Sequence, residues 1–213
     1  MIIMEKYEYG NTDAPVVLIQ PVDEHMLGAI QKEIDLINDK AALEYLLVVF
    51  KVDDWNGDLS PWTAPAVFGK EGFAGRAEET LTEILNYCRD DNKTYYIGGY
   101  SLAGLFALWA STRTDVFKGV AAASPSVWFP GFDVYIKDNG IKADHVYLSL
   151  GDKEEKTKNP VMATVGDRIR GTYELLKSEG IDCTLEWNEG NHFKDATIRT
   201  ARAFAWIINT LRE

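Results

Sequence analysis

The feature that most constrains the fold is an alternation of apolar runs with helix-type periodicity. The runs "VVLI" at 16–19 and "YLLVVFKV" at 45–52 are nearly continuous in apolar residues, as are strands that a parallel sheet buries on both faces. Between such runs, apolar residues recur every three or four positions, which predicts helices. This order predicts the α/β class, with a mostly parallel central sheet flanked by helices on both faces and little or no cap domain.

The predicted elements extend from residue 16 to the end of the sequence. The predicted strands span 16–19, 45–52, 94–98, 119–123, 145–150 and 183–187. Apolar stripes predict helices within 26–37, 77–88 and 162–176, and a further helix is predicted over about 196–211. No repeat, low-complexity tract or linker separates these elements, so we expect one domain over residues 1–213.

Charge and composition argue against several classes of function. The 33 acidic and 22 basic residues give a net charge of −11, which is unfavourable for nucleic acid or an anionic membrane surface as the main partner. No apolar stretch approaches the about 20 residues of a membrane span, and charges within the first six residues argue against a signal peptide. The two cysteines are far apart in sequence, so we expect no disulfide scaffold, no metal site and a cytoplasmic location.

The stretch "YYIGGYSLAGLFALWA" places a serine between a predicted strand and a long apolar helix. A chain that turns directly from strand to helix forces the turning residue into strained backbone geometry and requires small neighbours. Gly99, Ala103 and Gly104 meet this requirement, in a G-x-S-x-G nucleophile elbow with alanine replacing the second glycine. Ser101 is therefore the candidate nucleophile, and the Leu102 amide is a candidate oxyanion donor. The alternative is a glycine-rich helix start that Ser101 only caps.

A serine nucleophile needs a base, and the sequence has only three histidines. His192, in "NEGNHF", lies between the last predicted strand and the last predicted helix, at the carboxyl edge where ligands bind in such sheets. His145 begins a predicted strand and therefore belongs to the opposite edge. His25 follows the first predicted strand and is a candidate pocket residue. His192 is the predicted base, and an exposed loop histidine is the alternative interpretation.

The carboxylate that would orient this base is expected after the predicted strand 145–150. The segment "SLGDKEEK" offers Asp152, Glu154 and Glu155. The acid commonly follows the glycine that ends this strand by three residues, which favours Glu154, with Asp152 as the alternative. A solvated acidic loop is the competing interpretation for each carboxylate.

The remaining site residues are predicted from loops that follow strands. The segment "QPVDEH" after the first predicted strand offers Val22 as the second oxyanion donor, with Asp23 as the alternative. Aromatic side chains at the mouth of the site would cover an apolar part of a substrate, unless they only pack loops against the sheet. Together with Tyr100 and His25, the candidate pocket residues are Trp55, Trp62 and Trp128.

Several segments of the chain together resemble one protein family. In order, "DWNGDLSPWTAP", "GGYSLAGLFALWA", "FKGVAAASPSVWF", "LSLGDKEE" and "EGNHF" are similar to the esterase-D and enterochelin-esterase-like branch of the α/β hydrolases. The resemblance covers the chain from residue 16 onward and implies an α/β-hydrolase fold. It also implies a serine esterase with Ser101 as nucleophile, His192 as base, and Glu154 or Asp152 as acid, in the Ser-acid-His chain order of that fold.

The activity implied by this resemblance is hydrolysis of carboxylic esters of small soluble molecules. The sequence has no metal-ligand spacing and no phosphate-binding G-x-x-x-x-G-K loop, so no cofactor or metal is expected. Thioesterase, acyltransferase, peptidase and siderophore-type esterase activities use the same triad and are alternatives within the enzyme class. A catalytically silent α/β-hydrolase scaffold that binds a ligand or partner is the alternative outside it, because the fold does not determine the function.

Overall fold

The computed structural model describes residues 4–211 and contains a seven-stranded sheet and a separate two-stranded ribbon, so residues 1–3 and 212–213 of the predicted domain lie outside this description. The strands are β1 (Lys6–Gly10), β2 (Val16–Val22), β3 (Leu46–Lys51), β4 (Thr63–Ala64), β5 (Phe73–Ala74), β6 (Thr94–Tyr100), β7 (Phe117–Ala123), β8 (His145–Gly151) and β9 (Asp182–Asn188). Their order in the main sheet is β1-β3-β2-β6-β7-β8-β9. Only the β1–β3 pair is antiparallel among these neighbours, so the predicted mostly parallel sheet is confirmed.

Helices cover both faces of this sheet, as predicted. The helices are α1 (Glu24–Gly28), α2 (Ile30–Asn38), α3 (Trp55–Asp58), α4 (Ala77–Tyr87), α5 (Leu102–Arg113), α6 (Phe132–Asn139), α7 (Val165–Ser178) and α8 (Ala196–Thr210). On one face, α4, α5, α6 and α7 bury their apolar stripes against the strands, and on the other face α2 and α8 do so. Within residues 4–211, no helix has the length and hydropathy needed to cross a membrane.

Several local features differ from the sequence prediction, including the short elements α3, β4 and β5, which were not predicted. Strand β1 precedes the first predicted strand, and its alternation of exposed and half-buried side chains is typical of an edge strand. The predicted stripe within 26–37 is divided into α1 and α2 at Ala29, because Gly28 has a low helix propensity. Helix α6 was not predicted, since only Phe132 and Ile136 of its eight residues are buried and they give too short a periodic signal.

The carboxyl ends of β6, β7, β8 and β9 lie side by side at one edge of the sheet. Because these strands are parallel, the loop that follows each of them emerges at this same edge. The edge therefore brings together segments that are up to about 90 residues apart in sequence, which is how Ser101 and His192 come into contact.

Candidate active site

Ser101 lies alone between β6 and α5, in a backbone conformation that L-residues rarely adopt. Its φ is 58° and its ψ is −119°. Its N–H donates to the carbonyl of Ala123 at 3.0 Å, and its own carbonyl accepts from the N–H groups of Leu105 and Ser126. A strained conformation of this kind costs about 1–3 kcal/mol, so the contacts with β7 and α5 are needed to maintain it. The turn presents the Ser101 hydroxyl beyond the end of the strand.

Small residues around the turn allow strand and helix to approach closely. A Cβ added to Gly99 would lie 2.6 Å from the Cβ of Ala103. A Cβ added to Gly104 would lie 3.1 Å from the carbonyl oxygen of Gly99 and 3.2 Å from Cα of Pro125. Ala103 therefore fits this elbow because Gly99 has no side chain, which explains why alanine replaces the second glycine of the motif.

His192 lies in the loop between β9 and α8, with its imidazole against the serine. Its Nε2 is 2.9 Å from Oγ of Ser101. The hydroxyl of Tyr100 donates to the backbone carbonyl of His192 at 2.6 Å, and the two rings lie 5.2 Å apart. Tyr100 is buried, so this residue of the elbow holds the histidine loop in place.

Glu154 contacts the other side of the imidazole, with Oε2 2.7 Å from Nδ1 of His192. Its Oε1 accepts hydrogen bonds from the Gly151 N–H at 2.7 Å, the Ser124 hydroxyl at 2.9 Å and the Arg199 guanidinium at 2.8 Å. Burial raises the pKa of this carboxyl group, but the hydrogen bond and charge of His192 and the other donors outweigh burial. The pKa of Glu154 therefore lies below its usual range, and the group is an anion at neutral pH.

The two neighbouring carboxylates are engaged elsewhere. Asp152 accepts a hydrogen bond from the N–H of Gly190 at 2.7 Å, and this bond holds its pKa below the usual range. Glu155 forms an ion pair with Arg170 at 3.1 Å. Of the three candidate acids, the one that the structure brings to His192 is Glu154.

Arg199 is a buried cation that the sequence prediction missed. Its side chain is 1% exposed, and its guanidinium contacts a residue at the end of each of the strands β6, β7, β8 and β9. These contacts are Tyr100 OH at 3.3 Å, Ser124 Oγ at 3.1 Å, Glu154 Oε1 at 2.8 Å, and the carbonyl oxygens of Glu189 and Asn191 at 3.2 and 3.1 Å. The sequence does contain one signal for the burial of Arg199. It precedes Ala203 by four residues and therefore lies on the same buried face of α8.

Two serines of the segment "ASPS" also contact the candidate site. Ser124, which donates to Glu154, has a φ of 43° and is therefore a second strained residue at this edge. Oγ of Ser126 lies 3.2 Å from Oγ of Ser101, and Ser126 is buried. This segment is part of the family resemblance, but no pattern in the sequence indicates that both hydroxyl groups contact the site.

Two cavities meet at His192. The first, called here the Ser101 cavity, has a volume of 440 Å³ and is mostly apolar; its lining includes Ser101, Leu102, Trp55, Phe68, Phe73 and Trp128. The second, called here the lysine cavity, has a volume of 450 Å³, and its lining includes Lys153, Lys156, Glu154 and Asn191. His192, Phe193, Trp128, Thr157 and Met162 line both. The two cavities therefore adjoin at these shared residues and are called here together the cleft.

Three predicted pocket residues, Tyr100, Trp62 and His25, do not line this cleft, and Tyr100 instead supports the histidine loop as described above. Trp62 donates its Nε1–H to the carbonyl of Pro130 at 3.0 Å and packs against Phe129 and Tyr135 at 5.5 and 5.1 Å. This indole packs loops together and lines neither cavity, which corrects the prediction that Trp62 is a pocket residue. His25 lies exposed in α1 and lines neither of the two cavities among the described residues. The sequence pattern places Trp62 and His25 after predicted strands, but it does not determine the direction in which their side chains point.

The two candidate oxyanion donors, Leu102 and Val22, differ in whether they line the Ser101 cavity. The N–H of Leu102 is at the first residue of α5, where a helix has N–H groups without intrahelical partners, and it lies in the lining of the Ser101 cavity. Val22 ends β2 and is fully buried, and its carbonyl accepts from the N–H of Val52 at 2.8 Å. Val22 does not line the Ser101 cavity among the residues described.

Comparison with known proteins gives structural but not sequence matches. No protein-family model and no curated protein sequence matches the chain. An IroE-like serine hydrolase from Shewanella oneidensis superimposes with a TM-score of 0.77 at 14% identity, over 97% of this chain and 76% of that one. The siderophore hydrolase EstA from Aspergillus nidulans gives a TM-score of 0.67 at 16% identity, over 97% and 94% of the two chains.

A third similar structure is longer than this chain. It is the enterobactin esterase FES from Shigella flexneri, in a structure with enterobactin present, with a TM-score of 0.68 at 14% identity over 98% of this chain and 55% of that one. These similarities, together with the sheet order and the flanking helices, show that the chain has the α/β-hydrolase fold that the sequence predicts.

Proposed function

We propose that this protein is a serine esterase that cleaves carboxylic esters of small molecules through a covalent acyl-enzyme. The observation that carries the proposal is the continuous chain of hydrogen bonds from Ser101 Oγ to His192 at 2.9 Å and from His192 to Glu154 at 2.7 Å. The hydrolase and esterase names of structurally similar proteins support the same reaction class. The strained backbone of Ser101 is a second support, because strained residues cluster at active sites, where the surrounding contacts maintain them.

In the proposed acylation step, Ser101 Oγ attacks the ester carbonyl carbon as its proton passes to Nε2 of His192. Negative charge then develops on the carbonyl oxygen, where the Leu102 N–H is the donor whose residue lines the Ser101 cavity. The second donor predicted from the sequence is the N–H of Val22 or Asp23, and among the described residues neither lines that cavity. The bond from carbon to the leaving oxygen breaks, and that oxygen takes the proton from Nε2. An alcohol is released and the acyl group remains on Ser101.

In the proposed deacylation step, water attacks the acyl carbon and transfers a proton to Nε2, which then returns it to Ser101 as the acid product leaves. Glu154 accepts from Nδ1–H throughout, which fixes the useful tautomer of His192 and stabilises the imidazolium. The lowered pKa of Glu154 supports this role, since the carboxylate remains an anion in both steps. The triad does not select its acyl acceptor, so thioesters and acyl transfer fall within the same chemistry.

The test is hydrolysis of p-nitrophenyl acetate and p-nitrophenyl butyrate by the purified protein, together with labelling by a fluorophosphonate. We expect turnover and labelling by the wild-type protein, and a fall in kcat/KM of at least about 1,000-fold in Ser101→Ala. Ser111→Ala is the matched control, because Ser111 is a buried serine of α5 that lines neither cavity.

One outcome of these assays would contradict the esterase proposal. If wild-type protein and Ser101→Ala are equally inert towards both esters and the fluorophosphonate, the esterase proposal is wrong. The silent scaffold is then the better interpretation of the fold.

A further inference from the structure

The lysine cavity carries positive charge that the rest of the protein does not neutralise. Lys153 and Lys156 line it, and both are exposed. Neither forms an ion pair with any residue in the part of the chain that is described.

The acidic residues beside these lysines are engaged with other groups. Glu154 is held by His192 and Arg199, and Glu155 is paired with Arg170. Asp152 is within electrostatic reach of both lysines, but its oxygen accepts from the Gly190 N–H. Lys194, the third lysine near Asp152, is paired with Glu189, so Lys153 and Lys156 are the two lysines of this group without an ion-pair partner among the described residues.

The position of His192 indicates which part of an ester lies in each cavity. Ser101 lines only the Ser101 cavity, so the acyl group that becomes bonded to Oγ lies there. The leaving oxygen takes its proton from Nε2 of His192, and His192 lines both cavities. The alcohol part of the ester therefore extends past the imidazole towards Lys153 and Lys156.

Phe193 adds an apolar surface along this path. Its side chain is the most exposed of the large apolar residues described, at 88%, and it lines both cavities. Its ring meets that of His192 edge-on at 5.6 Å. An exposed aromatic ring at the boundary of two cavities offers contact area to the body of the alcohol.

We propose that the lysine cavity binds the alcohol part of the substrate through a carboxylate on that alcohol, with Lys153 and Lys156 as specificity-determining residues. This inference rests on the proposed esterase function. The substrates preferred by this site are esters whose alcohol carries a negative charge and an apolar or aromatic body.

The test compares three esters. In 4-acetoxybenzoate the negative charge is on the alcohol part, in methyl 4-acetoxybenzoate there is no charge, and in the monoester of succinic acid with p-nitrophenol the charge is on the acyl part. The variant is Lys153→Met/Lys156→Met. Lys32→Met/Lys118→Met is the control, since it removes the same charge from exposed lysines that line neither cavity. Each rate is divided by the wild-type rate for the same ester, which cancels intrinsic reactivity.

We expect the cavity variant to lower kcat/KM for 4-acetoxybenzoate about fivefold, mainly through KM, with the methyl ester unchanged. Added salt should reduce the difference in the wild-type protein, since exposed charges are screened. The control variant should leave all three esters close to wild type.

Three results overturn the inference. They are an equal response of charged and neutral esters, an equal effect of the control variant, and a larger effect on the succinate ester than on 4-acetoxybenzoate. Failure of the esterase proposal itself is distinct, because the neutral methyl ester would then be hydrolysed equally slowly by the wild-type protein and Ser101→Ala.

Discussion

Two buried carboxyl groups, those of Glu154 and Glu33, are in opposite states. Their exposed fractions are similar, 8% and 4%. Glu154 accepts hydrogen bonds from four groups, including His192 and Arg199, and its pKa is lowered. Burial raises the pKa of Glu33 to about 8, and the nearby Gln20 offsets this only in part. Oε1 of Glu33 and both amide atoms of Gln20 have no hydrogen-bond partner among residues 4–211.

The difference shows that donors, and not the degree of burial, determine whether a buried acid is charged. Glu154 follows β8 at the edge where four strand ends converge, and each of these ends supplies polar groups. Glu33 lies on α2 among Ile30, Ile34 and Ile37, against the apolar face of the sheet. The carboxyl edge of the sheet therefore stabilises Glu154 as an anion, whereas the apolar surroundings of Glu33 between α2 and the sheet do not stabilise a charged carboxylate.

Removing the charge of Glu154 should give the largest effect. We expect Glu154→Gln to lower kcat/KM about 1,000-fold or more, because an amide does not stabilise the imidazolium or fix the tautomer. Asp152→Asn should remain within about threefold of wild type, since Asp152 contacts a backbone N–H and not His192. Steady-state hydrolysis of p-nitrophenyl butyrate measures both variants, and equal, mild losses in both would remove Glu154 from the proposed triad.

Removing the cation beside Glu154 should give the next largest effect. Arg199→Met leaves Glu154 with fewer donors and two backbone carbonyls without a partner, so we expect kcat to fall about 100-fold with little change in KM for a neutral ester. The free energy of unfolding should fall by about 3 kcal/mol. Urea unfolding and steady-state kinetics measure the two quantities.

Arg199→Lys separates the charge of this residue from its geometry. A lysine keeps the ion pair with Glu154 but has one nitrogen in place of a planar fork. We therefore expect kcat between those of wild type and Arg199→Met. If Arg199→Met retains wild-type kcat while its stability falls, Arg199 has a structural role alone and does not position the acid.

Replacing Glu33 should increase the stability of the protein, whereas replacing Arg199 should decrease it. Its pKa in the folded protein is raised to about 8 from 4.5, so the folded state holds a proton that the unfolded chain loses between these values. Stability therefore falls as pH rises through this range, and the full loss is present above pH 8. We expect Glu33→Gln to be more stable than wild type by about 1–3 kcal/mol at pH 9 and nearly equal to it at pH 4.5.

The control for this prediction is Glu79→Gln, at an exposed position of α4. Thermal unfolding at both pH values should show no pH-dependent gain there. A gain in Glu33→Gln that is the same at both pH values would mean that ionisation of Glu33 is not its cause.

The smallest expected effect is on stability in acid. The pKa of Glu154 is lowered in the folded protein from 4.5. Its ionisation therefore stabilises the fold above this unfolded value, and the contribution is lost as pH falls through the lower, folded value. Wild-type protein should therefore lose stability more steeply than Glu154→Gln below about pH 4. Urea midpoints measured between pH 2.5 and 6 test this, and parallel curves would contradict it.

The sequence predicts the parts of the site that follow from chain order. Ser101, Glu154 and His192 each follow a parallel strand, and parallel strands place the next residues at one edge. The spacing of Arg199 places it on the buried face of α8, but its role in the site does not follow from any local pattern, because its partners come from four separate strand ends. Trp62 shows a second limit, since the direction of a loop side chain depends on tertiary packing around it.

The location of Arg199 on α8 also bears on when the site becomes complete. A ribosome makes the chain from the N-terminus, so Ser101, Glu154 and His192 are all synthesised before Arg199. Until α8 packs against the sheet, the acid lacks its cation and the histidine loop lacks the donor to its carbonyls. We expect the geometry of the proposed triad to form at a late stage of folding, so that the incomplete chain does not yet carry the serine in its final hydrogen-bonded position.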